Sequence, residues 1–163
     1  MEIRRTRENE IDKVMEVYAY ARKFMVEHDN PTQWGANKPS REQIEKDVQA
    51  GKHYVCVVDG QVAAVFYFAR EIDPTYVKIY DGEWLDDREY AVVHRIASAG
   101  TVKGVGSFCM QWAYEQFPNV KIDTHENNYV MQNMLKKNGF IHCGTIYLED
   151  GEPRLAFQKN CTY

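Results

Sequence analysis

The chain has 163 residues, the length of one ordinary domain, and residues 1–163 are read as a single unit. Hydrophobic residues make up 44% and charged residues 27%, a balance that excludes disorder, and a net charge of −4 speaks against a general nucleic-acid binder. No stretch approaches the roughly 20 apolar residues of a membrane span, and no apolar core of a signal peptide follows Met-Glu-Ile-Arg-Arg-Thr-Arg at the start. Cys56, Cys109, Cys143 and Cys161 form no CxxC pair, so neither a zinc knuckle nor a dithiol motif is indicated, and isolated cysteines of this kind fit a reduced, cytoplasmic protein.

In chain order, Glu2–Thr6 reads as a short strand. Ile11, Val14, Met15, Tyr18, Ala21 and Met25 recur at helical spacing and predict one long amphipathic helix, stopped by Pro31, Gly35 and Pro39. Ser40 with Gln43 three residues on reads as a capping box that opens a second helix, running to about Ala50. His53–Val58 and Gln61–Ala69 flank Asp59-Gly60, a type I′ hairpin signal. Ile72–Asp87 carries turn residues with Tyr76, Tyr80 and Trp84 and is expected to hold a short strand plus a loop; Glu89–Ala97 is the next strand.

Val105, Phe108, Cys109, Trp112 and Ala113 return to helical spacing, Val120–Thr124 reads as a strand, and Val130, Met131, Met134 and Leu135 mark the inner face of another helix. Phe140–Leu148 and Arg154–Lys159 form a closing hairpin across Glu149-Asp150-Gly151. The order β-α-α-β-β-β-α-β-α-β-β implies an α/β (α+β) fold with a mixed central sheet flanked by helices.

The stretch from Ala97 to Ser107 carries the clearest chemistry: a strand ends, a glycine-containing turn follows and a helix begins. Main-chain N–H groups at a helix start lack internal partners and the macrodipole adds positive potential, which suits a pyrophosphate. It is no Walker loop, since no Gly-Lys-Ser/Thr is present, and no dinucleotide fingerprint, since Cys109 stands where a third glycine would be needed. A plain tight turn would read the same way.

Element order and local motifs together resemble the GCN5-related N-acetyltransferases. That family places a Gln/Arg-x-x-Gly-x-Gly/Ala turn after its fourth strand; here the matching stretch is Thr101-Val102-Lys103-Gly104-Val105-Gly106, with Thr101 departing from the pattern. Asn128 followed eleven residues later by Gly139-Phe140 matches a second landmark. The resemblance implies a mostly antiparallel GNAT-like sheet and acetyl-CoA as co-substrate. Val102, Lys103, Gly104, Val105, Gly106 and Ser107 would hold its pyrophosphate, Ile96, Ala97 and Ser98 would pair with the pantetheine arm, and Asn128 would sit beside that arm.

Direct attack of an amine on a thioester needs a proton acceptor near the nucleophile. Asp123 is the first candidate, since related ribosomal-protein alanine acetyltransferases place a carboxylate five residues before the Asn; a solvated strand-end carboxylate is the alternative. His125 is the second, or else a polar residue at the strand exit. His94, beside the expected thioester, either faces substrate or is a satisfied core histidine. The family's usual proton donor, a Tyr seven residues after the Asn, is replaced by Leu135, leaving Tyr129, Tyr147 or water. A metal reading of Asp123, His125 and Glu126 fails because Glu126 leaves the shared strand face and no fourth ligand is evident.

The acceptor, a small-molecule or peptide amine, is expected among Gln33-Trp34-Gly35, Tyr80 and Glu83-Trp84, with Trp34, Tyr80 and Trp84 either as walls or as core. Asp81, Glu83, Asp86 and Asp87 would draw a cationic amine or form a solvated face. The absent Tyr at 135 keeps open a non-catalytic acyl-CoA sensor, and exposed strands of the closing hairpin could pair with a second chain to form a homodimer.

Overall fold

The computed structural model describes residues 1–161. Its elements run β1 (Glu2–Arg5), α1 (Ile11–Glu27), α2 (Arg41–Gln49), β2 (His53–Val58), β3 (Gln61–Arg70), β4 (Ala91–Ser98), α3 (Val105–Gln116), β5 (Asn119–Thr124), α4 (Tyr129–Lys137), β6 (Ile141–Tyr147) and β7 (Pro153–Asn160). The seven strands form one sheet in the order β1-β2-β3-β4-β5-β7-β6. Every neighbouring pair is antiparallel except β4 and β5. This is the mixed, mostly antiparallel sheet expected.

Local sequence explains most of these elements. Ile11, Val14, Val17, Tyr18 and Ala21 form the buried stripe of α1. Asp59 (φ 51°) and Gly60 (φ 76°) both adopt left-handed backbone, which gives the type I′ turn between β2 and β3. Ser40 Oγ accepts from the Gln43 N–H at 3.1 Å, but the Gln43 amide donates to Asp47 Oδ1 at 2.9 Å. Half of the expected capping box therefore forms, because the longer side chain finds a stronger, charged acceptor one turn on.

The short strand expected within 72–87 is absent. A single 3₁₀ turn, Pro74–Tyr76, forms instead, capped by Asp73 Oδ1 accepting from the Thr75 N–H at 2.8 Å. The only pairing is one bridge between Tyr80 and Thr145. Pro74 lacks a ladder donor, and Gly82 lies so close to the Cys143 carbonyl that a Cβ there would collide with it, so this segment meets β6 at isolated points, with the Glu83 N–H donating to the Cys143 carbonyl at 3.0 Å, and forms no regular strand.

Helices α3 and α4 cover one sheet face over Phe66, Phe68, Val93, Ile122 and Phe157, with Leu135 wholly buried among them. On the other face α1 and α2 pack on Val55, Val65 and Ala97. The 71–90 segment covers the remainder, with Tyr76 packed over Tyr67, Val92, Ile146 and Ala156.

Two irregularities in β4 position the site. Val65 pairs with Ala97 but Tyr67 pairs with His94, so β4 carries one extra residue, a bulge at which Arg95 has φ 51°. On its other edge β4 pairs with β5 only at Ala91–Val120 and Val92–Lys121, after which the strands part and leave a wedge.

Candidate active site

A cleft of about 800 Å³ opens along the wedge between α1, the β4–α3 turn and α4. Ile96, Ala97, Ser98, Val102–Ser107 and Asn128 all line it, together with Tyr20, Phe24, Met131 and Met134. The Ala99 N–H donates to the Ala63 carbonyl at 2.9 Å, so strand alternation turns the main-chain groups of Ile96 and Ser98 away from β3, toward the gap.

Gly104 caps α3 with left-handed backbone (φ 77°, ψ 5°), and no acidic residue occupies the helix's first turn. The space in front of Gly104 is open: a Cβ built there would meet nothing within 4 Å. Unpartnered N–H groups, a positive helix end and an open approach make a cradle that fits a pyrophosphate. Asn128 caps α4, its Oδ1 accepting from the Met131 N–H at 3.1 Å, and its Nδ2 donates to Gln33 Oε1 at 2.9 Å, which ties α4 to the α1–α2 connection.

Across the wedge from this cleft the sheet carries a polar row. Asp123 and His94 lie on the same face of the sheet, each two residues beyond the last β4–β5 pair. Tyr76, buried, donates its hydroxyl to Asp123 Oδ2 at 2.6 Å. His94 Nε2 lies 2.9 Å from Asp73 Oδ2. A proton on that nitrogen satisfies the contact and leaves Nδ1 as the free acceptor.

Burial pushes the Asp123 carboxyl above the usual carboxylate range, against the opposing pull of His94, the Tyr76 hydroxyl and Arg154. Burial also works to raise Asp73, but hydrogen bonds from His94 and Thr75 outweigh it and hold that carboxyl below its ordinary value. Burial, with Asp123 beside it, raises the Tyr76 phenol well above its usual value. The row thus sets a carboxylate with raised proton affinity beside an imidazole whose tautomer a second carboxylate fixes.

Sequence reasoning missed Asp73 and Tyr76, which come from the segment expected to hold a strand. It also missed Lys121. That ammonium lies 4.1 Å from the Trp84 ring centroid and 3.9 Å from that of Tyr90, and burial lowers its pKa to about 8.

The remaining predicted residues fall in different places. His125 Nδ1 accepts from the Asn127 N–H at 3.0 Å and its Nε2 contacts Thr32 Oγ1 at 3.1 Å, so neither nitrogen is left to take up a proton. Burial, then Arg154, lowers its pKa, and the neutral ring pins the α1–α2 connection to the end of β5. Trp34 packs edge-on against Tyr18 at 5.6 Å beneath α1.

Trp84 packs at a tilt against Tyr76 with ring centroids 5.3 Å apart and donates its Nε1–H to the Tyr76 carbonyl, which makes it a support of the row. Tyr80 stands against Tyr147 at the β6 edge, 5.2 Å between centroids and 47% exposed. Asp86 is engaged by Arg88, Asn119 and Asn160; burial opposes these bonds, yet they bring its carboxyl to about 2. Among the described residues no cluster of three His, Cys, Asp or Glu side chains could hold a metal ion, and no helix is long and apolar enough to cross a membrane.

A seven-stranded sheet split between β4 and β5, with a glycine-capped helix on one side of the split and a polar row on the other, defines the acyl-CoA N-acyltransferase class of fold. Solved structures agree. An acetyltransferase of the GNAT family from Streptococcus agalactiae 2603 superposes with a TM-score of 0.91 at 32% identity, over 99% of this chain and 96% of that one. A GNAT-family acetyltransferase from Listeria monocytogenes 4b F2365 (TM-score 0.71, 16% identity, 98% and 94% covered) shares the fold. So does a ribosomal-protein-alanine N-acetyltransferase from Brucella melitensis (TM-score 0.67, 17% identity, 99% and 100% covered). No family model and no curated protein matches the chain. At that identity and coverage, the chain belongs to the GNAT family of acetyltransferases.

Proposed function

We propose that this protein, as one domain of residues 1–163, moves the acetyl group of acetyl-CoA to a primary amine by direct attack in a ternary complex. The observation that carries this reading is the placement of Asp123 and His94 at the point where β4 and β5 part, with the Gly104 cradle on the same gap. In it, the N–H groups around Val102–Ser107 bind the pyrophosphate and the Ile96 and Ser98 main chain aligns the pantetheine arm. An N–H of the β4 bulge region faces the thioester oxygen, where it stabilises the charge that develops on attack.

Asp123 takes the proton from the incoming ammonium, and Tyr76 holds its other oxygen in place. His94, oriented by Asp73, lines the opposite wall and relays or accepts a second proton. Leu135 offers no hydroxyl, so the departing thiol leaves as thiolate, which a pKa of about 8.5 permits at neutral pH.

Calorimetric titration with acetyl-CoA and CoA, followed by a panel of primary amines with a thiol-release readout, tests the reading. Tight binding with amine-dependent release is the expected result, and Asp123→Asn should bind acetyl-CoA normally while losing release. Binding without release from any amine, in wild type as in the variant, would favour a non-catalytic acyl-CoA sensor.

A further inference from the structure

Arg154 lies on β7 two residues from Ala156, the partner of Asp123 in the β5–β7 ladder. It therefore shares the sheet face of Asp123, in the diagonal position where residues stand about 7–8 Å apart, within reach of a long side chain. Its side chain is drawn in, and the residue is only 6% exposed. Two of its N–H groups donate to main-chain carbonyls, of Pro153 at 2.8 Å and of Gln33 at 3.1 Å.

Among the described residues no carboxylate approaches it within 4.0 Å, whereas the half-buried Arg95 has Asp47 at 2.9 Å and Arg4 has Glu10 at 2.8 Å. Among the described residues the Nε–H of Arg154 finds no hydrogen-bond acceptor, and it is not wholly enclosed, as the unpartnered Asn30 Oδ1 and Thr124 Oγ1 are. A buried guanidinium with no anion is costly, because desolvation is unrecovered without a paired charge.

We propose that the acceptor is an amino acid or similar small amino carboxylate, whose carboxylate completes the ion pair on Arg154 while its amine faces Asp123. This rests on the reading of the polar row as the acceptor side. The diagonal placement of the two residues suits a ligand whose carboxylate and amine are joined through one or two carbon atoms. A polyamine or a protein lysine would bring no anion to the guanidinium, and a second cation of a polyamine would be repelled by it. Neutralising Arg154 also removes one of the influences that lower the Asp123 carboxyl, so a bound carboxylate makes Asp123 a better proton acceptor as the amine arrives.

The test pairs each proteinogenic L-amino acid with its carboxamide and measures thiol release with the wild type, Arg154→Gln and Arg154→Lys. The free acid of the preferred pair should exceed its amide in kcat/KM by about 10- to 100-fold, the worth of a hydrogen bond to a charged group. Arg154→Gln should bring that ratio to near one with acetyl-CoA affinity unchanged. Arg154→Lys, which keeps the charge but not the fork, should retain part of it and serves where the Gln variant does not fold.

Turnover of amines with acid and amide treated alike, or equal loss of both in the variants, would overturn the proposal while leaving the transferase reading intact. If no amine is turned over, the transferase reading fails, and calorimetry on the acetyl-CoA-saturated protein decides the remainder. Binding of free acids over amides that is lost in Arg154→Gln supports the carboxylate site; its absence overturns it.

Discussion

The hydroxyl of Tyr18 donates to the carbonyl of Arg95 at 2.8 Å, fastening the middle of α1 to the left-handed residue of the β4 bulge. Having spent its proton there, the phenol oxygen accepts from His53 Nε2–H at 2.9 Å, and His53 Nδ1 in turn accepts from the Thr6 hydroxyl at 2.7 Å. The guanidinium of Arg95 is held by the buried Asp47 of α2 and lies 4.7 Å over the Tyr67 ring. The chain just before Ile96 to Ser98 is thus anchored by α1 and α2, through residues far away in sequence.

Tyr18→Phe leaves the His53 N–H and the Arg95 carbonyl without a buried partner. A loss of about 1–3 kcal/mol is expected in denaturant unfolding. Acetyl-CoA affinity should fall as well, because the bulge is no longer anchored; unchanged affinity would show that the bulge holds itself.

Burial, with Arg95 nearby, brings His53 to about 3 from an ordinary 6.5. The folded state prefers the neutral ring, so this stabilisation is complete above pH 6.5 and is lost as pH falls toward 3, by up to about 1.4 kcal/mol per unit. Unfolding midpoints measured from pH 7 to pH 4 should show that decline, and His53→Gln should flatten it.

Asp123 carries a carboxyl raised by burial, so kcat/KM should climb with pH through an acid limb lying above the ordinary carboxylate range. Asp123→Asn should abolish that limb and lower kcat by about 10²- to 10⁴-fold. Tyr76→Phe removes the 2.6 Å bond to Asp123 and should shift the limb while sparing acetyl-CoA binding.

Gly104→Ala forces an L-residue into left-handed backbone at a position with free space around it. A stability loss of about 1–2 kcal/mol is expected from the backbone alone. A drop in CoA affinity measured on the still-folded variant would place the added methyl in the path of the pyrophosphate.

Leu135→Tyr would restore the family's hydroxyl by position, yet Leu135 is completely buried among Phe140, Cys109 and Ile122. Overpacking should cost about 1–3 kcal/mol in melting experiments, and thiol release should not improve.

The element order is legible in the sequence because the apolar stripe of Ile11, Val14 and Tyr18 and the Asp59-Gly60 turn are local signals. The cleft lining is legible for the same reason, since Ile96 to Ser107 is one continuous stretch. Tyr76 and Asp73 are not, because they sit in a segment without periodicity and meet Asp123 and His94 only through tertiary packing. His125 looks like a base until its lone pair is found accepting the Asn127 N–H, a bond that no residue spacing reveals. Arg154 reads as one more strand residue, and what sets it apart is that it lacks a counterion among the described residues.

Because β4 and β5 touch at just two residue pairs, the protein amounts to two half-sheets, β1 to β4 and β5 to β6, joined at one end. An extended ligand seated between them would act as an eighth, non-peptide strand. Amide hydrogen exchange at Ile96, Ser98 and Ile122 should then slow together when the gap is filled, and the halves should melt as one unit with ligand and less cooperatively without it. Substrate binding and sheet integrity become a single equilibrium.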